Sequence, residues 1–89
     1  MDSVSVRAAI DIRPVAIAVD ASNWSSYQGG IFSNCGSSIN HAVVAIGYDV
    51  ADNYYIIRNS WGNRWGEAGK MKLESGACGS NNYVYDLLL

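Results

Sequence analysis

The amino-acid sequence predicts a mainly β domain, an antiparallel barrel or sandwich with one short helix near its N-terminal end. Three observations lead there. Five or six short runs rich in β-branched and aromatic residues are separated by glycine-containing turns. The second half of the chain carries no helical run. The 89 residues, 49% apolar and 16% charged, suit one small domain with its own core rather than a disordered segment. At this length folding buries only about 60–65% of the surface of the unfolded chain, so the stability margin is narrow.

The elements follow in order. Asp2 and Ser3 offer caps for a helix over residues 4–10, with Val6, Ala9 and Ile10 roughly on one face, and Pro14 ends it. Residues 15–19 (Val-Ala-Ile-Ala-Val) read as a strand bounded by Pro14 and the polar run 20–26. Gly29-Gly30 is a turn before a short strand at Ile31-Phe32, and residues 33–38 are loop by composition. Residues 41–48 and 54–58 are strands joined by a turn at 49–53, and Gly47 marks a bulge or a barrel corner. Residues 60–69, with three glycines and two tryptophans, are too irregular for a regular element. Residues 71–73 and 83–88 complete the set of strands.

Composition excludes some functions. The formal charge is −2, and the six basic residues (Arg7, Arg13, Arg58, Arg64, Lys70, Lys72) are scattered, so nothing favours nucleic acid as a partner. No apolar run approaches the ~18–20 residues of a membrane-spanning helix. Met1-Asp2-Ser3-Val4 has neither the basic nor the apolar region of a signal peptide. Two cysteines, Cys35 and Cys78, do not make a metal site by themselves, and no metal or other cofactor is expected. They are either two buried thiols or one disulfide. A disulfide would close a loop of roughly 40 residues, contribute about 3–4 kcal/mol in the chain-entropy account, and imply an oxidising compartment.

The chain has one histidine, His41, and a lone histidine beside an apolar strand is ordinarily structural. Hairpin counting changes that reading. A turn at 49–53 sets His41 opposite Asn59 or Ser60, close enough for an Asn amide to hydrogen-bond the imidazole. An imidazole acting as general base needs its other nitrogen held, which fixes the tautomer and aims the ring. An Asn carbonyl does this without adding charge, which suits a thiolate–imidazolium pair. His41 and Asn59 are thus two members of a Cys-His-Asn arrangement. Neither cysteine is a good third member: Cys35 lies in a polar loop, Cys78 in a glycine-rich stretch, and neither opens a helix that could lower its pKa.

Seven blocks together resemble the papain/cathepsin L family of cysteine proteases. They are Pro14-Val15-Ala16-Ile17-Ala18-Val19-Asp20-Ala21, Tyr27-Gln28-Gly29-Gly30-Ile31-Phe32, Cys35-Gly36 with Cys78-Gly79, Asn40-His41-Ala42-Val43, Gly47-Tyr48, Asn59-Ser60-Trp61-Gly62, and Trp65-Gly66-Glu67-Ala68-Gly69. The resemblance covers essentially the whole chain in family order. It implies that residues 1–89 form the right, β-barrel-like domain of the papain fold, which is α+β in the whole enzyme. The helical left domain, with the nucleophilic Cys and the oxyanion-hole Gln, would lie outside this chain.

Carried over residue by residue, the resemblance makes His41 the catalytic histidine and Asn59 the residue that orients it. Trp61 would shield their hydrogen bond from water, and Trp65 would floor the leaving-group side. Ordinary aromatic core is the competing reading for both tryptophans. Ala18 and Ala42 would line the pocket for the substrate's second residue, with Tyr83 at its far end, and Cys35 and Cys78 would form the domain's disulfide. The implied partners are a left domain, a peptide or protein substrate and cystatin-type inhibitors, in a lysosome, a vacuole or outside the cell. Two departures stand out: Asn40 where an Asp often precedes the histidine, and Lys70 where an aromatic usually follows the Trp-Gly-Glu-x-Gly block. The expected function is a cysteine endopeptidase half that needs a left domain to hydrolyse peptide bonds and is inactive alone. The alternatives are a catalytically inactive papain-like binding module and an isolated folding domain.

Overall fold

The computed structural model describes residues 1–85. Helix α1 spans Ser3–Ile12, with Asp2 as N-cap: its carboxylate accepts the Ser5 N–H at 2.8 Å. Val6, Ala9 and Ile10 are buried, the face expected from their spacing. The helix runs two residues beyond the expected end. Asp11 is held there by the Tyr48 hydroxyl, which donates to it at 2.6 Å, and Arg13 turns extended ahead of Pro14.

Six strands follow: β1 (Val15–Val19), β2 (Ile31–Phe32), β3 (His41–Asp49), β4 (Tyr54–Arg58), β5 (Lys70–Glu74) and β6 (Tyr83–Tyr85). They form one sheet in the order β2-β5-β4-β3-β1-β6. The expected strand at 83–88 is seen over its first three residues; its remainder lies outside the described residues. A 3₁₀ turn at Ala77–Gly79 leads into β6. The fold is mainly β with one helix, as expected, and the sheet stays open rather than closing into a barrel.

All pairings are antiparallel except that of β2 with β5. Two residues carry no directional signal in sequence. Their placement comes from Tyr27, whose hydroxyl donates to the Gly30 carbonyl at 2.6 Å and accepts the Lys72 N–H at 3.1 Å.

Alternation along the strands builds the core. Val15, Ile17 and Val19 of β1, Val43 and Ala45 of β3, Tyr55 and Ile57 of β4, and Met71 and Leu73 of β5 all point inward with the buried face of α1. Burying each large apolar side chain contributes about 1.5–3 kcal/mol. The β3–β4 ladder slips by one residue at Ile46, between the Gly47↔Ile56 and Ala45↔Ile57 pairs, a bulge where Gly47 marked one. A Cβ on Gly47 would sit 3.2 Å from Ile56 Cδ1.

Two ties hold the termini and loops. Cys35 and Cys78 form a disulfide, their Cα atoms 5.1 Å apart, and the Asp20 N–H donates to the Cys78 carbonyl at 2.9 Å. Beside the N-terminus of α1, the buried Tyr55 hydroxyl donates to Asn81 Oδ1 at 2.6 Å. Asn81 Nδ2 in turn donates to Ser3 Oγ at 3.0 Å, and the Met1 ammonium donates to the Asn81 carbonyl.

Candidate active site

His41 opens β3 and Asn59 follows β4 directly. Both continue the inward phase of their strands, His41 with Val43 and Ala45, Asn59 with Tyr55 and Ile57. The ladder ends at Val44↔Arg58, and its register carries Val43, not His41, opposite Asn59. His41 is the diagonal neighbour, and diagonal neighbours lie within reach of long side chains. The hydrogen bond expected from hairpin counting is there, reached by a different path: His41 Nε2 and Asn59 Oδ1 are 2.8 Å apart. Asn59 Oδ1 also accepts the Ser60 N–H at 2.7 Å. With that bond fixing the amide, Oδ1 acts as acceptor and His41 Nε2 carries the proton, so Nδ1 is the nitrogen available as a base.

Trp61 lies over the pair, its ring stacked on the imidazole with centroids 5.1 Å apart and 28° between planes. It is 42% exposed and so is not core. Trp65 is core: it is buried and its Nε1 donates to the Trp24 carbonyl at 2.8 Å. The competing aromatic-core reading therefore holds for Trp65 and fails for Trp61. The turn after Trp65 depends on Gly66, at φ 59°, where a Cβ would lie 2.6 Å from the Lys70 carbonyl oxygen.

Sequence reasoning missed Trp24. It is fully buried and meets His41 edge-on at 6.5 Å, with Phe32, Trp61 and Trp65 packed around it. The available signal was one large aromatic inside the otherwise polar run 20–26, which marks a loop anchored in the core.

Asn40 positions the backbone ahead of His41. Its Oδ1 accepts the Ala21 N–H at 3.0 Å, its Nδ2 donates to Ser22 Oγ at 2.9 Å, and its own N–H donates to the Val19 carbonyl at 2.9 Å. Asp20, buried beneath this loop, accepts the Ser22 and Ser38 N–H groups at 3.0 and 3.1 Å. Hydrogen bonding from Ser22, then from the Ser38 and Gly36 amides, holds its carboxyl below its ordinary pKa of 3.8.

Ala42, Ala18 and Tyr83 form a row of register partners across β3, β1 and β6, on the strand phase opposite the core. Ala42 and Tyr83 are exposed, Ala18 half-buried. The row lies at the same end of the sheet as His41, one register position from the Val19↔His41 pair and on the opposite strand phase. Both cysteines are in the disulfide, so neither carries a thiol. Beside Lys70, the position expected to hold an aromatic, is a cleft of about 170 Å³ walled by Arg58, Asn59, Asn63 and their neighbours. Among the described residues no group of His, Cys, Asp and Glu could hold a metal ion.

An Asn carbonyl oxygen hydrogen-bonded to an imidazole is a geometry that can orient a general base. The sequence profile of the papain family cysteine proteases matches residues 2–87. The chain is 46% identical over 76 residues to putative cathepsin L 3 of Paramecium tetraurelia, covering 83% of this chain and 24% of that protein. It is 43% identical over 89 residues to cysteine proteinase COT44 of Brassica napus, covering 88% and 27%. Among solved structures it is similar to the bromelain protease from Ananas comosus in complex with the E64 inhibitor. That match has a TM-score of 0.84 at 38% identity and covers 99% of this chain and 46% of that one. The chain belongs to the papain family of cysteine proteases. It spans about a quarter of the length of the curated relatives it matches.

Proposed function

We propose that this chain is the right domain of a papain-like cysteine endopeptidase and supplies the catalytic histidine and its orienting asparagine. The observation that carries the reading is the 2.8 Å His41 Nε2–Asn59 Oδ1 hydrogen bond beneath Trp61. It leaves Nδ1 to face a thiol brought by a left domain. There Nδ1 takes the thiol proton, and the thiolate attacks the scissile carbonyl carbon. The imidazolium then protonates the leaving amine as the C–N bond breaks and a thioester forms. His41 next takes a proton from water, the hydroxide attacks the thioester, and the thiol leaves with the proton returned.

Trp61 limits water access to the His41–Asn59 bond, and Trp65 with Trp24 supports it from below. The row of Ala18, Ala42 and Tyr83 offers an open apolar strip for a substrate side chain, with Ala42 adjoining His41. A partner domain supplying Cys and Gln, peptide or protein substrates and cystatin-type inhibitors fit this reading. So does a lysosomal, vacuolar or secreted location, since the disulfide suits an oxidising compartment.

The test is to co-refold this chain with a left domain carrying the Cys and Gln and to assay a peptide amide. Turnover should appear only in the mixture, be blocked by a thiol-directed inhibitor and vanish with His41→Ala. Undiminished turnover by the His41→Ala mixture would sink the reading. The chain alone should show none, because both cysteines are in the disulfide; inhibitor-sensitive turnover by the pure chain would overturn that part.

A further inference from the structure

The turn that carries Trp24 holds a motif that the His41 site does not use. Of the eight asparagines, only Asn23 is followed two residues later by a Ser or Thr, in Asn23-Trp24-Ser25. Asn-x-Ser, with x other than Pro, is the acceptor signal for an N-linked oligosaccharide on a surface loop of a secreted protein. A match of three residues arises often by chance, so its place in the fold decides its meaning.

Residues 21–27 form two successive turns. The Trp24 N–H donates to the Ala21 carbonyl at 3.1 Å, and the Tyr27 N–H donates to the Trp24 carbonyl at 3.0 Å. Trp24 and Tyr27 are both buried and pin the segment to the core. Asn23 and Ser25, on either side of Trp24, are both exposed. Among the described residues, Asn23 Nδ2 donates to the Asn34 carbonyl at 3.2 Å, an exposed contact. An amide nitrogen carries two hydrogens, so a sugar can replace one of them while the backbone bonds of both turns stay as they are. The Cys35–Cys78 disulfide supplies the second condition, because such links belong to the oxidising secretory route.

We propose that Asn23 is an N-glycosylation site that takes an oligosaccharide from a lipid pyrophosphate carrier. A transferase of the secretory route joins Asn23 Nδ2 to the anomeric carbon of the first sugar. The bond from that carbon to the pyrophosphate oxygen breaks, the carrier leaves with the electron pair, and Nδ2 gives up one proton to a base of the transferase. The glycan is rooted beside Asn34, the residue before Cys35, and adds a bulky, solvated group to that loop. No peptidase activity is involved, so the site stands or falls apart from that reading.

The test expresses the 89-residue chain behind a cleavable signal peptide in cultured eukaryotic cells, with signal cleavage verifying entry. Secreted and microsomal protein are both run on gels. A slower band should collapse to the unmodified position on treatment with the amidase that removes N-linked glycans, and peptide mapping should then find Asn23 deamidated. Asn23→Gln and Ser25→Ala should each lose the slower band, whereas Ser25→Thr should retain it because the signal is intact. Ser25→Ala leaves the Asn23 amide and its bond to Asn34 in place, so loss there identifies the signal rather than a damaged turn. Protein that enters the microsomes and stays in one amidase-insensitive form overturns the proposal. So does a glycan that survives Ser25→Ala.

Discussion

The two ends of the β3–β4 hairpin are finished differently. At the turn end, Tyr55 is fully buried, its hydroxyl meets Asn81, and Asn81 goes on to Ser3 and the N-terminal ammonium. Each side-chain polar group of that chain of bonds has a partner from the same polypeptide. At the other end, Asn59 Nδ2 and Trp24 Nε1 are buried without partners, Trp61 is 42% exposed, and His41 is half-buried. Both ends use an asparagine to join distant segments. One asparagine completes a fold, and the other holds a half-buried imidazole beneath an exposed indole. Leaving a buried polar group unmade costs about 1–3 kcal/mol, and Ser75 Oγ and Ser80 Oγ near the turn end are unpartnered too, so what sets the other end apart is the exposed Trp61 ring over a half-buried imidazole.

The largest expected effect separates the ends by activity. In the enzyme assembled with a left domain, His41→Ala should lower turnover by at least ~10²–10⁴, the usual range for losing a positioned general base. Asn59→Ala should lower it less, since a loosely aimed imidazole still transfers protons. Circular dichroism melts taken beside the peptide-amide assay distinguish lost chemistry from lost fold. If Asn59→Ala cost more turnover than His41→Ala, the assignment of base and orienter would be reversed.

Next is the disulfide, which belongs to neither end. Replacing Cys35 and Cys78 together by Ala should destabilise the chain by about 3–4 kcal/mol, as expected for a link across 43 residues. Denaturant melts measure it, and an unchanged midpoint would mean the loop needs no covalent closure.

The turn end gives a smaller, purely structural effect. Tyr55→Phe leaves Asn81 Oδ1 without its donor and should cost about 1–2 kcal/mol. Turnover per folded enzyme should not change. A fall in turnover at full folding would show the two ends to be coupled through the hairpin.

Much of this contrast was legible in sequence. Apolar runs rich in β-branched and aromatic residues at 41–48 and 54–58 gave both strands, and the single histidine six residues after Cys35 could be set against Asn59 by counting. The geometry that counting missed was the bulge at Ile46, which shifts the register and makes His41 a diagonal rather than a direct neighbour. Gly47 hinted at that bulge without saying which way the register moves. Trp24 was signalled only as an isolated aromatic in a polar run. A residue in a polar loop contributes to no period, so its burial is set by tertiary packing alone. The parallel pairing of β2 with β5 was hidden likewise, because two residues encode no strand direction.

The pH dependence of stability sharpens the comparison at the His41 end. Asp20 has its carboxyl pKa held below 3.8 by hydrogen bonds from Ser22 and then from the Ser38 and Gly36 amides. The unfolded chain therefore binds more protons than the folded one between the folded pKa and about 3.8, and stability falls as pH falls through that window. Above it the stabilisation is fully present. Asp20→Asn should flatten the acid limb of stability against pH between roughly pH 5 and 2, where such groups titrate. Parallel acid limbs for the two proteins would show that other carboxylates govern acid unfolding.

The smallest effect tests Asn40, the residue before His41. Both ends of its amide are used, Oδ1 by the Ala21 N–H and Nδ2 by Ser22 Oγ. Asn40→Asp keeps the acceptor and loses the donor. The lost bond lies at an exposed site, so it should cost only about 0.5–1 kcal/mol. The new carboxylate also approaches Ser22, whose N–H already serves Asp20, and two carboxylates sharing one serine repel each other. The destabilisation should thus be greatest near neutral pH, where both are ionised, and shrink as acid neutralises either one. Asn40→Ser removes the amide without adding charge, so its cost should not vary with pH across that range. Melting both variants from about pH 2 to pH 7, a range that reaches the lowered Asp20 titration, reads the difference, and identical pH profiles would remove the charge argument and leave only the lost hydrogen bond.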